Sequence, residues 1–395
     1  MKITRRVLAL LLVLSAPLIL FSSAQTAEKA PAKTQYLAYV GTYTTKTNSK
    51  GIYAYRFDAA TGQLSAIGVA AETQDPSWLA VHPNGKFLYA VNEAGKSSMV
   101  SAFARDAKTG KLTLLNQLPA LGEDPCYLSF DKTGKYVFVA NYTSGNVVVF
   151  PILPGGKLGE HTSSIQDGRV LGPNKERQEA PHAHWIEVTA NNRFALVTDL
   201  GLDRVLTYRF DPSNGTINGA PLSSYTRYKN AWSVPVNPGD GPRHAVFGAN
   251  NHIYVLGELQ STVTDILLDP HKDIEPAQRI STIPPDYKGR NDAAEIALHP
   301  SGKWLFASNR GHDSIAVFSV DPATGKLERA GHYSTGGKEP RHFAIDPTGK
   351  YLLAENQFSN NVVVFKIDSA TGGLTPTGQV VEVPSPVDLT FVTAE

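Results

Sequence analysis

One turn-and-strand phrase recurs six times along the 395-residue chain, and a repeat of that length leaves few folds open. The copies start at His82, Asp131, Thr189, Gly248, His299 and Asp346; two of them read His82-Pro83-Asn84-Gly85-Lys86-Phe87 and Asp346-Pro347-Thr348-Gly349-Lys350-Tyr351. Successive starts lie 49, 58, 59, 51 and 47 residues apart. Each copy places Gly or Asn where a tight hairpin needs positive φ. Short apolar runs flank the turn, as Trp78–Val81 before the first copy and Phe87–Val91 after it. Such runs, bounded by turn residues, predict buried strands. The phrase therefore joins the first two strands of a repeat.

A second phrase marks the far end of the repeat. It reads Asp58-Ala59-Ala60-Thr61-Gly62-Gln63-Leu64, and returns at Asp106, Asp321 and Asp368, with weaker copies at Pro154 and Asp211. Each follows a strand-like run such as Asn146–Phe150, so it joins the third and fourth strands. A four-stranded sheet cannot cover both its faces and must stack on neighbours. Before the first full repeat, 36–40 and 51–57 read as second and third strands with no first strand. After the last repeat, Pro386–Val392 reads as a first strand with no followers. Joined, they complete a seventh unit and remove the free edges of an open array. The expected fold is all-β: a seven-bladed β-propeller of four-stranded antiparallel blades, closed by pairing of the N- and C-terminal strands.

The N-terminus carries Lys2, Arg5 and Arg6, an apolar run from Val7 to Phe21, then Ser22-Ser23-Ala24. This matches a secretory leader over 1–24, followed by a disordered linker over 25–35 and a propeller domain over 36–395. The expected location is periplasmic or secreted, with no membrane attachment after leader removal. The formal net charge is +1, which argues against a nucleic-acid partner. Cys126 is the one cysteine, so neither an internal disulfide nor a cysteine zinc motif is available. It falls in an apolar strand and reads as a buried structural thiol. The glycines sit at hairpins rather than in a phosphate-binding loop, and neither cofactor nor metal is expected. The chain is read as a monomer. The segments 160–180 and 219–241 exceed ordinary connections, and long loops often shape a site.

In a propeller the first strand of each blade lines the central channel. Aligned, these strands give Pro76-Ser77-Trp78, Pro125-Cys126-Tyr127, Pro181-His182-Ala183-His184, Pro242-Arg243-His244, Ala293-Ala294-Glu295, Pro340-Arg341-His342 and Pro386-Val387-Asp388. The second strands end near the same mouth with Asn92-Glu93, Asn141-Tyr142, Asp199-Leu200, Gly257-Glu258, Asn309-Arg310 and Asn356-Gln357. The predicted ring contains Arg243, Arg310 and Arg341, His182, His184, His244 and His342, and Glu93, Glu258 and Glu295. Arginines present forked donors to an anion, while imidazoles and carboxylates move protons near neutral pH. The repeated Asn residues suit turn capping better than ligand binding.

Several of these stretches together resemble the seven-bladed propeller lactonases, the family of the propeller-type 6-phosphogluconolactonase and carboxy-muconate lactonizing enzyme. The stretches are Tyr39-Val40-Gly41-Thr42-Tyr43-Thr44, Val91-Asn92-Glu93, Pro181-His182-Ala183-His184, Gly241-Pro242-Arg243-His244, Ser308-Asn309-Arg310-Gly311-His312-Asp313 and Glu339-Pro340-Arg341-His342-Phe343. The resemblance implies a metal-independent site at the channel mouth with His182 or His184, Arg243, Glu258 and Arg310 as catalytic residues. Its substrate would be a small lactone, possibly anionic. Glu93, His244, Glu295, Arg341 and His342 would then bind substrate. Glu258 or a neutral histidine would activate water, Arg243 or Arg310 would meet the oxyanion, and Arg341 could hold a remote anionic group. An exported address departs from the family's cytosolic sugar-phosphate substrates. The same ring suits a muconate-type cycloisomerase, and an uncharged rim would have suited a binding module. A calcium-dependent lactonase would gather Asn92, Glu93, Asn141 and Asn309 on one ion, against the repulsion of nearby arginines.

Overall fold

The computed structural model describes residues 35–168, 170–219, 233–268 and 276–394. Within them the chain forms seven antiparallel sheets. The innermost strands are Pro386–Thr393 in blade 1, Pro76–Val81 in blade 2 and Pro125–Phe130 in blade 3. They are followed by Ala183–Val188 in blade 4, Pro242–Phe247 in blade 5, Asp292–Leu298 in blade 6 and Pro340–Ile345 in blade 7. Each inner strand packs beside the next in that order, and blade 7 returns to blade 1. Closure takes the predicted form. Pro386–Thr393 pairs with Gln35–Thr42, for instance Tyr39 with Thr390 and Val40 with Leu389. The predicted leader and linker fall on 1–35, of which residues 1–34 lie outside the described residues; the first strand already begins at Gln35.

The recurring hairpins fold for a reason visible in their side chains. The Asp131 carboxylate accepts from the backbone N–H groups of Thr133, Lys135 and Tyr136, and Asp346 does the same for Thr348, Lys350 and Tyr351. Two hairpins also lock onto the preceding blade. His82 Nε2 meets the Gly134 carbonyl at 2.8 Å, and His299 Nε2 meets the Gly349 carbonyl at 2.8 Å. Both glycines have positive φ, and a Cβ there would lie 2.8 and 2.7 Å from the imidazole nitrogen. Glycine is thus required twice over.

The Asn residues that end the second strands secure the crossovers between blades. The amide groups of Asn92, Asn141, Asn309 and Asn356 donate to the carbonyls of Gln74, Ala120, Thr282 and Thr335. All four carbonyls belong to chain arriving from the preceding blade. These side chains are therefore structural, as expected; of the oxygens imagined around calcium, Asn92 Oδ1 accepts from Ser101, Asn309 Oδ1 from Thr282 and Asn291, and Glu93 Oε2 from Tyr43. Between blades the core is aromatic: Phe138, Trp185, Tyr208 and Phe210 are buried in one cluster spanning blades 3 to 5. Truncating one such ring would cost about 3–5 kcal/mol.

Blade 4 departs from the four-stranded expectation. Its outer position is shared by Thr216–Asn218 and Ser233–Pro235, both paired with Arg204–Asp211. The predicted long segment 160–180 also resolves further. Ser163–Gln166 is the outer strand of blade 3, and the true connection follows it.

Every inner strand slips register near its start. Pro242 pairs with Gly257 but Ala245 with Val255, and the same irregularity recurs at Ser77, Cys126, His184, Ala294, Arg341 and Val387. A bulge re-aims side chains and bends the strand. Here it delivers two consecutive residues per blade to the channel.

Candidate active site

The bulges sort the channel residues into two layers. The outer layer holds Cys126, His184, Arg243 and Arg341. The next residues along the strands, Trp78, Tyr127, His244, Glu295, His342 and Asp388, form the inner layer. This corrects one alignment. His184 occupies the position of Arg243, so Trp185 stands where blades 5 and 7 have histidine, and His182 precedes the strand.

At the mouth the ten predicted residues do not form one ring. Glu258, at the end of the second strand of blade 5, gathers the first group. Arg243 Nε lies 3.0 Å and Arg310 Nη2 3.2 Å from its Oε2, while Arg177 Nη2 lies 2.6 Å from Oε1. The Arg243 contact is an ion pair by distance, but Nε–H is not aligned as a hydrogen bond. Coulomb attraction needs no such alignment, so the pair holds on distance alone. Arg243 is fixed from its other end by donating to the Ala294 carbonyl. Burial pushes the Glu258 carboxyl upward, yet Arg310 and Arg243, with His184 and Arg177, outweigh it and hold the group well below the usual carboxylate range. Arg243 falls to about 10, because it is buried beside Arg310 and Arg341.

The histidines flank this group through Tyr142. The His182 ring stacks on Tyr142 at 4.4 Å, and His184 meets the same ring edge-on at 5.3 Å. His182 Nδ1 lies 2.9 Å from the Tyr142 carbonyl, so it is the protonated nitrogen that donates there; Nε2 lies 3.2 Å from Glu179 Oε1. His184 Nδ1 lies 3.4 Å from Cys126 Sγ. Burial, then Arg243, holds His184 well below the usual imidazole range. Burial likewise pushes the Cys126 thiol far up, which leaves it protonated and inert.

A second group faces the first. Tyr43 O–H donates to Glu93 Oε2 at 2.7 Å, Arg341 Nη2 lies 3.9 Å from the same oxygen, and the Arg341 guanidinium lies 5.2 Å from the centre of the Tyr43 ring. Burial disfavours the charge on Arg341, but Tyr43 and Glu93 overcome it and raise the group above its ordinary value.

The inner layer holds the remaining predicted residues. His244 Nδ1 lies 2.8 Å from Glu295 Oε2. His342 meets Glu355 at 2.5 Å, Asp388 at 3.5 Å and Glu295 at 3.8 Å. Trp78 sits edge-on to both histidines at 5.1 and 5.4 Å. Burial raises Glu295 and Asp388 to about 7, against the opposing pull of His342. It lifts Glu355 further.

Six participants were missed by sequence reasoning. Arg177 and Glu179 come from a loop outside the repeat, although that segment was expected to shape a site. Tyr43 and Tyr142 lay inside quoted stretches without a role. Asp388 shares the register of His244, and Glu355 directly precedes a quoted strand end. Among the described residues, no group of three or more His, Cys, Asp or Glu has the geometry to hold a metal ion.

A seven-bladed propeller whose mouth joins guanidinium groups, a carboxylate and imidazoles defines a class of channel-mouth acid–base and acyl-transfer sites. Comparison with known proteins narrows it. Residues 37–391 match the model of the lactonase family with a seven-bladed β-propeller, and the chain belongs to that family. The 6-phosphogluconolactonase of Bacillus subtilis is 35% identical over 313 residues, covering 78% of this chain and 85% of that one. The periplasmic gluconolactonase of Pseudomonas aeruginosa superposes with a TM-score of 0.84 at 32% identity, covering 91% of this chain and 100% of that one. A protein of Lactobacillus plantarum gives 0.81 at 32% identity, covering 91% and 99%. The protein is a lactonase, and its substrate is a small lactone.

Proposed function

We propose that the chain hydrolyses a sugar lactone or a closely related lactone at the arginine-lined mouth, outside the cytoplasm. The observation that carries this reading is the convergence of Arg243 and Arg310 on Glu258, with Arg177 linking that carboxylate to Tyr142, on which His182 stacks. Glu258 is a poor base, because three guanidinium groups stabilise its ionised form. Its role is to hold Arg243 and Arg310 in place. The base is His182: its Nδ1–H is fixed on the Tyr142 carbonyl, and Nε2 takes a proton from water once the half-exposed Glu179 carboxylate, 3.2 Å away, swings aside.

The water oxygen attacks the lactone carbonyl as its proton passes to His182 Nε2. Negative charge then develops on the carbonyl oxygen. Among the described residues Arg243 Nη2 and Arg310 Nη1 have no protein partner, and they are the donors assigned to that oxyanion. When the ring C–O bond breaks, the imidazolium returns the proton to the departing oxygen, giving the open hydroxy acid. Arg341, with Glu93 and Tyr43, binds the far side of the substrate. His244, Glu295 and His342 lie one residue deeper and support the floor of the site.

Export is supported by the leader-like N-terminus and by the periplasmic relative. The test is a panel of sugar and aromatic lactones, phosphorylated and not, assayed with and without chelator. Opening of a sugar lactone at an unchanged rate in chelator is expected. A loss of activity in chelator, or the reverse ring closure of a muconate only, would overturn the assignment. Cell fractionation should find a shortened chain, starting near Gln25 or Glu28, outside the cytoplasm.

A further inference from the structure

Arg177 stands apart from the other two arginines on Glu258. It comes from the connection between blades 3 and 4, and its side chain is 36% exposed, against 3% for Arg243 and 12% for Arg310. The connection is nonetheless built. Gln178 is buried, its Nε2 donates to the Leu200 carbonyl at 2.9 Å, and its Oε1 accepts from the Asn174 N–H at 3.0 Å. Asn174 Oδ1 in turn accepts from the Arg177 N–H at 3.2 Å. The guanidinium uses one nitrogen for both of its bonds: Nη2 reaches Glu258 and, at 3.3 Å, the Tyr142 hydroxyl. Among the described residues Nε and Nη1 have no protein partner, so two donors on different edges of the guanidinium remain free beside the mouth.

Three guanidinium groups share the single carboxylate of Glu258, an excess of two positive charges. Arg341 has its own carboxylate in Glu93, and Glu179 beside His182 is 55% exposed, so water screens it and it offsets that excess only weakly. A phosphomonoester carries about −1.5 to −2 charges near pH 7 and has three oxygens that accept charge-assisted bonds from arginine.

We infer that Arg177 is the specificity residue of this site: it binds an exocyclic anionic group, a phosphate before a carboxylate, and sets the preference for anionic over neutral lactones. This rests on the lactonase reading above. It transfers to Arg177 the anion contact first expected of Arg341, whose charge Glu93 already balances.

The test compares wild type, Arg177→Gln and Arg177→Lys on phosphorylated, carboxylated and neutral sugar δ-lactones, with circular dichroism confirming the fold. Calorimetric binding of the corresponding open-chain acids is measured alongside. In Arg177→Gln the ratio of kcat/KM for the phosphorylated over the neutral lactone should fall roughly 10- to 100-fold, the loss expected of one charged hydrogen-bonded contact. Affinity for the phosphorylated acid should fall in parallel, and lysine should restore part of both. An unchanged ratio, or equal losses on all lactones, would show that Arg177 acts only through Glu258 and overturn the inference. If no lactone is opened but the phosphorylated acid binds through Arg177, the anion site stands and the hydrolytic reading falls.

Discussion

The two layers of the channel use the same residue types in opposite proportion. At the mouth, one carboxylate, Glu258, serves three arginines. One residue deeper, Glu295, Glu355 and Asp388 serve two histidines. Glu258 and the three floor carboxyls are all buried, so desolvation presses each of them toward its neutral form. At the mouth the guanidinium charges win and Glu258 stays ionised. In the floor no guanidinium makes a direct contact with these carboxyls among the described residues, so desolvation wins and Glu295 and Asp388 rise to about 7. Burial alone thus says little about a carboxylate's state. The identity of its cationic neighbours decides it, and with it whether the layer binds anions or merely fills the channel.

The sharpest way to break this contrast is to make the same substitution in both layers. Glu258→Gln leaves three buried or half-buried guanidinium groups without their counter-charge. Removing one partner of a buried ion pair costs about 3–5 kcal/mol. Glu295→Gln imitates the protonated side chain that the floor already favours. Its cost should stay near the ordinary effect of about 1 kcal/mol for a point substitution. Urea unfolding of the two variants measures the difference. Equal costs would mean that the layers do not differ in charge state.

Next in size is an effect on turnover. Arg243→Ala should lower kcat by about 100- to 1000-fold, the usual loss for one preorganised oxyanion donor. Arg243→Lys should recover only part, since one ammonium cannot reproduce the fork. An inner-layer change of similar reach, His342→Gln, should act mainly on stability. Steady-state kinetics on the lactone found active in the panel will show whether catalysis divides along the same line as charge.

The propeller was legible because its signals are local and repeated. The positive-φ turns, the Asp-anchored hairpins and the unmatched terminal strands are each fixed by a few adjacent residues. The site was legible to the extent that it rides on that repeat: Arg243, Glu258, Arg310 and Arg341 all stand at strand starts or ends. Register failed where the bulge added a residue, so His182 and His184 could not be told apart until pairing was known. It failed again for Arg177, whose loop has no counterpart in other blades. The division into layers was not legible at all, because one step along a strand separates Arg243 from His244 and sequence carries no depth.

A pH series sharpens the comparison more gently. Glu258 has a depressed folded value, so its contribution is present above the ordinary carboxylate range and is lost as pH falls through the folded value. Glu295 and Asp388 have raised values. Their contribution is complete below the ordinary carboxylate range and is lost as pH rises toward and through about 7. Wild-type Tm, compared with that of Glu295→Gln combined with Asp388→Asn, should therefore decline more steeply between about pH 4 and 8. Parallel curves would show that the floor carboxyls do not titrate there.

The smallest expected effect belongs to Cys126, which tests which influence prevails where the layers meet. Its thiol stands in the register of Arg243 and feels the arginine charges, which would favour a thiolate. Burial opposes them, with Glu93 adding to it, and wins. A protonated, enclosed thiol has no part in opening a lactone. Cys126→Ala should therefore cost about 1 kcal/mol or less in stability and leave the ring-opening rate close to wild type. A colorimetric thiol reagent should label the native protein slowly and the urea-unfolded protein at once. Rapid labelling of the native chain, or a large loss of turnover in the alanine variant, would place a reactive thiolate at the mouth and reverse the ranking of burial over charge at this position.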